Sequence, residues 1–338
     1  MNDSEQQLAY SVSRPSNDLQ DRGESPAPSL EPLDPARAAH ATVPDGTTIY
    51  FETFAPDDAG RSDSSQQPTD PGIVLLIMGL GASARLWAPV ARRLLALGYE
   101  VITFDNRGSG RSSTPRRPWT TAAMADDAVA VLDELDISTV HVGGASLGGM
   151  VAQELALRAH HRVSSLVLGA TTGGFRWQDL ATRQGLPHLL ATAVRSLRSE
   201  REPEQRIRTF LRTTVSEDYA RQSGPGDEIW DTVAAMLEDP VSRSGFAKQL
   251  LAAARHSSWS RLHRLRVPVL VHHGSNDPMV PVSGARELAR RIPGARLKIH
   301  EGGGHALLDR ADDVGDMLGD FLAELATAPR RGQPGAAV

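Results

Sequence analysis

One serine of the sequence lies between glycines in a pattern that suits nucleophilic chemistry. Ser146 is the centre of the segment Gly144-Ala-Ser-Leu-Gly148, which matches the pattern Gly-x-Ser-x-Gly of a serine on a sharp turn between a strand and a helix. Such a turn strains the serine backbone and brings neighbouring main chain close, so Gly144 and Gly148 suit its flanks because they carry no side chain. A short strand pattern from residue 139 precedes the serine, and a helical pattern over 151–159 follows it. This is the context that the motif requires, and it predicts that Ser146 is a nucleophile.

Two loops farther along the chain carry the groups that would activate this serine. A serine hydroxyl needs a base to take its proton, commonly a histidine, and a carboxylate commonly fixes the tautomer of that histidine. Asp277 and His305 each lie in a loop that follows a predicted strand. Ligands of open α/β sheets bind at the carboxyl ends of strands, and the order Ser…Asp…His is the one seen on such sheets. We therefore predict a triad in which His305 is the base for Ser146 and Asp277 orients His305.

Other histidines and acids have positions that favour structural roles. His141 alternates within the strand before Ser146, and we expect it to lie in the core or to support the site without reacting. Three other histidines lie at the end of a strand or within one, where packing or backbone groups would satisfy them: His272, His273 and His300. Asp105 begins an Asp-x-Arg-Gly turn, and we expect its carboxylate to hydrogen-bond local backbone groups rather than act on a substrate. Glu301 remains an alternative orienting acid, although it follows its strand directly.

A glycine-rich loop follows the predicted strand at 73–78 and would complete a site for a developing negative charge. Two N–H donors must point at that charge when a carbonyl group is attacked. We predict that these donors are the backbone N–H groups of Leu147, which follows the nucleophile, and of Leu80 in the loop. Gly79 and Gly81 on either side of Leu80 let the main chain approach a substrate closely. The Lys-Ser/Thr ending of a phosphate-binding P-loop is absent here.

Alternating strand and helix patterns provide the elements that would position these residues. Strand patterns lie at 73–78, 100–104, 139–145, 163–169, 267–273 and 295–300, and helical patterns lie at 87–97, 120–135, 151–159, 282–291 and 311–325. A hairpin pattern surrounds the turn Pro44-Asp-Gly46. Alternation of this kind predicts an α/β fold with a mostly parallel sheet and helices on both faces.

The alternation stops between two of these strands. Residues 172–265 are charged, poor in strand patterns and helical in spacing, so we predict a helical cap inserted over the active-site edge. The core would then comprise residues 38–171 and 266–327. Residues 1–37 are rich in Ser, Pro, Asp, Glu and Gln, and this composition predicts a disordered tail because it buries too little apolar surface. Residues 328–338 form a polar tail rich in Pro and Gly.

The composition limits which binding partners and which cellular compartments we expect for this protein. The net charge is −5 and the charged residues are interspersed, which gives no support for a nucleic-acid partner. Cysteines are absent, so disulfides, thiolate catalysis and cysteine-based metal sites are excluded. The N-terminus lacks the pattern of a signal peptide, and the apolar runs are too short for an integral membrane segment. We expect a cytoplasmic protein that uses no metal and no cofactor; the sequence does not indicate its oligomeric state.

Five segments together resemble the α/β-hydrolase fold superfamily. They lie at 78–81, 105–112, 144–150, 274–277 and 303–305, and the resemblance extends from about residue 38 to residue 325. It implies the sheet predicted above, an inserted helical cap and the same three catalytic residues. One departure concerns the loop of the predicted donors. Members of the superfamily often have histidine before its first glycine, where this chain has Met78.

The finer resemblance concerns the reaction. Segments 77–81 and 104–108 resemble carboxylesterases, methylesterases and enol-lactonases with a helical cap, and segments 81–83, 112–116 and 259–268 resemble intracellular polyhydroxyalkanoate depolymerases less closely. The resemblance implies a serine hydrolase that cleaves a small-molecule carboxylic ester or lactone through an acyl-enzyme. A cofactor-free perhydrolase or haloperoxidase, a C–C bond hydrolase and an acyltransferase share these motifs and remain alternatives. The alternative from another class is a protein that binds a small signal molecule with little turnover.

Overall fold

The computed structural model describes residues 33–56, 72–175, 202–239, 241–305 and 307–327. Most of the predicted N-terminal tail and all of the predicted C-terminal tail lie outside these residues. The part of the predicted cap at 176–201 also lies outside them.

Eight strands lie in the described residues and form one sheet. They are β1 (Arg37–Thr42), β2 (Thr48–Phe54), β3 (Ile73–Ile77), β4 (Glu100–Phe104), β5 (Val140–Ala145), β6 (Val163–Gly169), β7 (Val269–Gly274) and β8 (Arg296–His300). Their order across the sheet is β1-β2-β4-β3-β5-β6-β7-β8. β2 runs antiparallel to β1 and to β4, and the other neighbours are parallel. The predicted α/β fold with a mostly parallel sheet is confirmed, and so is the hairpin of β1 and β2.

The helices of the described residues lie between and after these strands. They are α1 (Ala88–Ala96), α2 (Thr121–Glu134), α3 (Leu147–Arg158), α4 (Pro203–Thr214), α5 (Glu217–Gln222), α6 (Glu228–Glu238), α7 (Arg243–Arg255), α8 (Val282–Arg291) and α9 (Ala311–Thr327), with short 3-10 helices at Ala84–Trp87, His160–Arg162, Leu262–Arg264 and Leu308–Arg310. The predicted core helices correspond to α1, α2, α3, α8 and α9 and differ only at their ends. None of the described helices combines the length and the apolarity needed to cross a membrane.

The central strands are apolar on both sides because helices cover both faces of the sheet. Within β3, Leu75 and Ile77 belong to one apolar cluster, together with α2, α3 and α8. Val74 and Leu76 belong to a second cluster, together with α1 and α9. Successive side chains of a strand point to opposite faces, so a continuous apolar run is what a doubly covered strand requires.

Two predicted elements have different bounds in the structure. β7 begins at Val269 rather than at residue 267, since Pro268 has no N–H to donate to a neighbouring strand. The cap, predicted only as residues of helical spacing, contains α6 and α7 as two separate helices. The hydroxyl of Ser242 caps α7 by accepting a hydrogen bond from the N–H of Gly245 at 2.8 Å, which starts a new helix at this point.

The helices between β6 and β7 divide between the two faces of the sheet. Apolar residues of α4 and α6, such as Leu211, Trp230 and Val233, belong to the cluster of α1 and α9. In contrast, α7 contributes Ala252 and Ala253 to the opposite cluster, with α2 and α3. The described part of the predicted cap is therefore anchored on both faces.

A buried histidine joins the end of α7 to two helices of the core. The Nδ1 of His256 lies 3.0 Å from the hydroxyl of Thr121 at the start of α2, and 3.6 Å from a carboxylate oxygen of Glu154 on α3. Glu154 also accepts two hydrogen bonds from Arg261, at 2.9 and 2.5 Å. Burial lowers the pKa of His256 to about 4, although the charge of Glu154 acts in the opposite direction.

We expect His256 to make the folded protein sensitive to acid. The pKa of His256 is lower in the folded than in the unfolded protein, so the unfolded chain binds more protons between about pH 6.5 and pH 4. The free energy of unfolding therefore falls as the pH falls through this window. The substitution His256→Gln should reduce the slope of the free energy of unfolding against pH by up to about 1.4 kcal/mol per pH unit.

Urea unfolding of both proteins, at several pH values from about 7 to 4.5, measures this difference. His263→Gln, at an exposed position, is the matched control and should leave the pH dependence as it is in the parent. The same pH dependence in the parent and in His256→Gln would contradict the role of His256.

Candidate active site

Ser146 lies on a sharp turn between β5 and α3, as predicted. Its backbone has φ 55° and ψ −119°, in the positive-φ region that strains a residue with a side chain. A Cβ atom at Gly148 would lie 2.0 Å from the carbonyl oxygen of Ile77, and one at Gly144 would lie 2.4 Å from the carbonyl oxygen of Gly148. No side chain fits at either glycine, so the surrounding main chain packs closely enough to hold Ser146 in its strained conformation.

Asp277 and His305 come together in the loops that follow β7 and β8. The Nδ1 of His305 lies 2.7 Å from Oδ2 of Asp277, and both residues are buried. The other oxygen of Asp277, Oδ1, accepts hydrogen bonds from the N–H groups of Met279 at 2.7 Å and Val280 at 2.9 Å. The carboxylate is thus fixed by the main chain on one side, and Nε2 is the ring nitrogen of His305 that remains for a proton transfer.

A second histidine contacts Asp277, which sequence reasoning missed. The Nε2 of His273, near the end of β7, lies 3.1 Å from Oδ2 of Asp277 and 2.9 Å from the carbonyl oxygen of Val280. The sequence predicted packing or a backbone partner for His273, and the backbone partner is confirmed. The contact between His273 and Asp277 has one signal in the sequence, which is their separation by four residues across the turn that follows β7.

The surroundings of Asp277 keep its carboxylate ionised. Burial alone would raise the pKa of Asp277, but the charge of His305 and hydrogen bonds from His273 and His305 outweigh burial. Together they hold this pKa well below its usual range. An ionised carboxylate in this position can orient an imidazole ring and stabilise its charged form.

Ser146 lies at the same edge of the sheet as this pair. Ser146 follows β5, whereas Asp277 and His305 follow β7 and β8, and β5 to β8 are parallel neighbours. Among the described residues, no hydrogen bond joins the hydroxyl of Ser146 to the ring of His305. Hydrogen bonds between catalytic groups are often long in ligand-free sites and shorten when a substrate binds.

The loop after β3 packs against Ser146. A Cβ atom at Gly79 would lie 3.3 Å from the Cβ of Ser146 and 3.9 Å from its Oγ. Leu80 is the next residue of this loop and is half-buried. Leu147 is the first residue of α3, so its N–H has no acceptor within the helix and lies at the positive end of the helix dipole. Gly79, the neighbour of Leu80, therefore packs against Ser146, and the N–H of Leu147 lies at the start of the helix that follows Ser146.

Asp105 holds the backbone of two loops, and its carboxylate is fully buried. Its Oδ2 accepts a hydrogen bond from the N–H of Arg111 at 2.9 Å, which confirms the prediction that Asp105 fixes its own turn. Its Oδ1 accepts one from the N–H of Ala84 at 2.8 Å, in the segment that follows the loop of Leu80. Burial raises the pKa of Asp105, and these hydrogen bonds oppose that effect.

The rival histidines have partners that fit structural roles, as predicted. The Nδ1 of His141 lies 2.8 Å from the hydroxyl of Ser165, and the rings of His272 and His300 meet edge to face at 5.6 Å. Burial lowers the pKa of His272 to about 3 and that of His300 to about 4. Glu301 has an exposed side chain. No group of at least three metal-ligating side chains occurs in the part of the chain that the structure describes.

The packing around Ser146 predicts a large effect of a single methyl group. Gly148→Ala would force a Cβ atom against the backbone of Ile77, which cannot move without disturbing β3. We expect the free energy of unfolding to fall by about 3 kcal/mol or more, as measured by urea unfolding. Gly224→Ala is the matched control, because a Cβ atom at Gly224 has no neighbour within 4 Å; its effect should stay within about 0.5 kcal/mol. Equal stability of Gly148→Ala and the parent would contradict the packing described above.

Comparisons with known proteins agree with this fold. A family model described as the α/β hydrolase fold matches residues 72–312. The poly(3-hydroxyalkanoate) depolymerase of Ectopseudomonas oleovorans is 34% identical over 255 residues, which cover 74% of this chain and 84% of the relative. The rhodomycin D methylesterase DnrP of Streptomyces peucetius is 32% identical over 277 residues, which cover 73% of this chain and 88% of the relative.

A solved structure has the same fold. The enol-lactonase from Burkholderia xenovorans LB400 matches with a TM-score of 0.68 at 23% identity, and the match covers 84% of this chain and 100% of that protein. The residues matched by the family model include the turn of Ser146 and the loops of Asp277 and His305. This chain belongs to the α/β-hydrolase fold family of enzymes.

Proposed function

We propose that the protein is a serine hydrolase that cleaves a carboxylic ester or lactone through an acyl-enzyme. The observation that carries this proposal is the buried contact of 2.7 Å between His305 and Asp277, at the sheet edge where Ser146 occupies its strained turn. A nucleophile, a base and an orienting acid at one edge are the groups that acyl transfer needs.

In the proposed reaction the hydroxyl of Ser146 attacks the carbonyl carbon of the substrate. Nε2 of His305 takes the hydroxyl proton as the bond forms, and the N–H groups of Leu147 and Leu80 stabilise the negative oxygen of the tetrahedral intermediate. The intermediate then expels the alcohol, which receives the proton from His305, and leaves an acyl group on Ser146. Water attacks this acyl group by the same route and restores the free enzyme. With a lactone, the expelled alcohol stays attached to the acyl group.

Asp277 serves this reaction by holding the imidazole. Its carboxylate accepts the Nδ1–H of His305, which leaves the lone pair of Nε2 free to take a proton. The low pKa of Asp277 keeps the carboxylate charged, so it stabilises the imidazolium that forms during the attack. The described part of the cap, residues 202–239 and 241–265, would shape the pocket for the acyl or alcohol group.

The activities named for the two relatives above support an ester or lactone substrate. A poly(3-hydroxyalkanoate) is a polyester, and a methylesterase cleaves a methyl ester, so both named activities require attack on an ester carbonyl. Both named activities transfer an acyl group to water, which is the reaction proposed here. They do not define the acyl group of this protein's substrate, because relatives on one fold accept different substrates.

The proposal predicts that ester hydrolysis depends on Ser146. Turnover of p-nitrophenyl esters, in a series from acetate to palmitate, should fall by about 10⁴-fold or more in Ser146→Ala, because members of a triad act as a unit. Release of p-nitrophenolate measures the rate, and the preferred chain length indicates the depth of the pocket. Ser164→Ala is the matched control, since Ser164 has an exposed side chain on β6 and should leave turnover unchanged.

Three results would contradict the proposal. Turnover of Ser146→Ala close to that of the parent would exclude Ser146 as the nucleophile. Halogenation that requires peroxide and acetate, without ester hydrolysis, would favour a perhydrolase. Stabilisation by small ligands with no turnover of any ester or lactone would favour a binding protein.

A further inference from the structure

The side chain of Gln249 connects the cap to the loop of the predicted oxyanion donors. Gln249 lies on α7 and is fully buried. Its Oε1 accepts a hydrogen bond from the N–H of Gly81 at 2.9 Å. Its Nε2 donates to the carbonyl oxygen of Arg107 at 2.9 Å and to the hydroxyl of Ser109 at 2.9 Å. The orientation of the amide follows from its partners, because a backbone N–H can only donate and a carbonyl oxygen can only accept.

The hydrogen bond to Gly81 fixes the peptide unit next to Leu80. Leu80 and Gly81 share this peptide unit, so holding its N–H restricts the rotation of the backbone at Leu80. Gly81 has φ +69°, and a Cβ atom there would lie 2.6 Å from the ring of Phe246 on α7. The loop is thus held at Gly81 by both a polar and an apolar side chain of one cap helix.

The same loop is held at two other points by the turn that follows β4. The side-chain amide of Asn106 donates to the carbonyl oxygen of Met78 at 2.7 Å, and Asp105 accepts the N–H of Ala84 at 2.8 Å. These two contacts fix the ends of the loop. Gln249 provides the hydrogen bond to its middle, next to Leu80.

α7 itself is docked closely on the turn after β4. A Cβ atom at Gly245 would lie 2.3 Å from the carbonyl oxygen of Gly108, so the two backbones touch. Val241, which precedes α7, forms an isolated β-bridge with Ser109. Gln249 therefore projects from a helix whose position is defined, which a positioning residue requires.

From these contacts we infer that Gln249 is a positioning residue for the oxyanion hole. It aligns the Leu80 N–H with the charge that develops on the substrate, and it makes α7 a part of the catalytic scaffold. The inference rests on the proposed serine hydrolase function. Gln249 contributes to stabilisation of the tetrahedral intermediate and not to binding of the ground-state ester.

The test compares Gln249→Met with the parent enzyme. Methionine has a similar volume but leaves the N–H of Gly81 without its acceptor. We expect kcat for the preferred p-nitrophenyl ester to fall by about 10- to 100-fold, since donors to the oxyanion must be placed closely. KM should stay within about twofold of the parent value, because the lost interaction belongs to the transition state. The inhibition constant of phenylboronic acid, whose adduct with serine is tetrahedral and negative, should rise by a factor similar to the loss in kcat.

Two further variants separate positioning from stability. Lys248→Met, the matched control on the same helix, loses a contact with the turn but none with the loop, and should keep the kcat of the parent. Gln249→Glu provides a second test if Gln249→Met does not fold. Its protonated form retains an acceptor for Gly81 and a donor for Arg107, whereas its ionised form has no donor and is repelled by the carbonyl oxygen of Arg107. The ratio of its kcat to that of the parent should therefore rise as the pH falls.

Several outcomes would overturn the inference. One is a kcat of Gln249→Met within about twofold of the parent value. Another is an equal loss of kcat in Lys248→Met, which would indicate a general disturbance of α7. A third is a ratio for Gln249→Glu that does not change with pH. If Ser146→Ala retained turnover, the proposed function would fail and the inference with it, whereas loss of turnover in Ser146→Ala and full activity in Gln249→Met would reject the inference alone.

Discussion

The close approach of main chain to main chain around Ser146 is the constraint on which the rest of the site depends. Gly148 packs against the carbonyl oxygen of Ile77, so the start of α3 lies directly against the end of β3. This contact brings the loop after β3 beside Ser146 and sets the strained backbone of Ser146. One steric contact thus positions both the proposed nucleophile and the loop that would supply an oxyanion donor. Any larger residue at position 148 would push the start of α3 away from the end of β3.

Buried polar side chains hold the loop after β3 and the carboxylate of Asp277 in place. Asp105, Asn106 and Gln249 each bind backbone groups of the loop after β3, and His273 contacts the carboxylate of Asp277. A buried polar group without a partner is costly, so each of these contacts fixes both of its members. The result is a site whose flexible parts, the loops, are held by groups on strand ends and helices.

Local patterns predicted the features that local forces determine. The glycines around Ser146 and the apolar runs of the strands result from steric and burial requirements within a few residues, so the sequence indicates them directly. The contact of Gln249 with Gly81 spans 168 residues, and no short pattern indicates it. Periodicity similarly indicates that α6 and α7 have apolar faces but not which side of the sheet covers each face. The contact between His273 and Asp277 depends on the shape of one turn, which sequence spacing suggests only after the turn is known.

The cap helices pack on opposite faces of the sheet, and this divides the cap into two parts. The two parts differ in how far their sequences can change without disturbing the loop of Leu80. α4 and α6 pack with α1 and α9, whereas α7 packs with α2 and α3 and binds the loop of Leu80. If the cap shapes the pocket as proposed, substitutions in the first part would alter the pocket while the loop of Leu80 keeps its contacts with α7. A chimera between two relatives would accordingly exchange residues 202–239 and retain the native α7. In the proposed hydrolase, the part of the cap that would shape the substrate pocket ends before the part that would support the loop of Leu80 begins, although both lie in one insertion between β6 and β7.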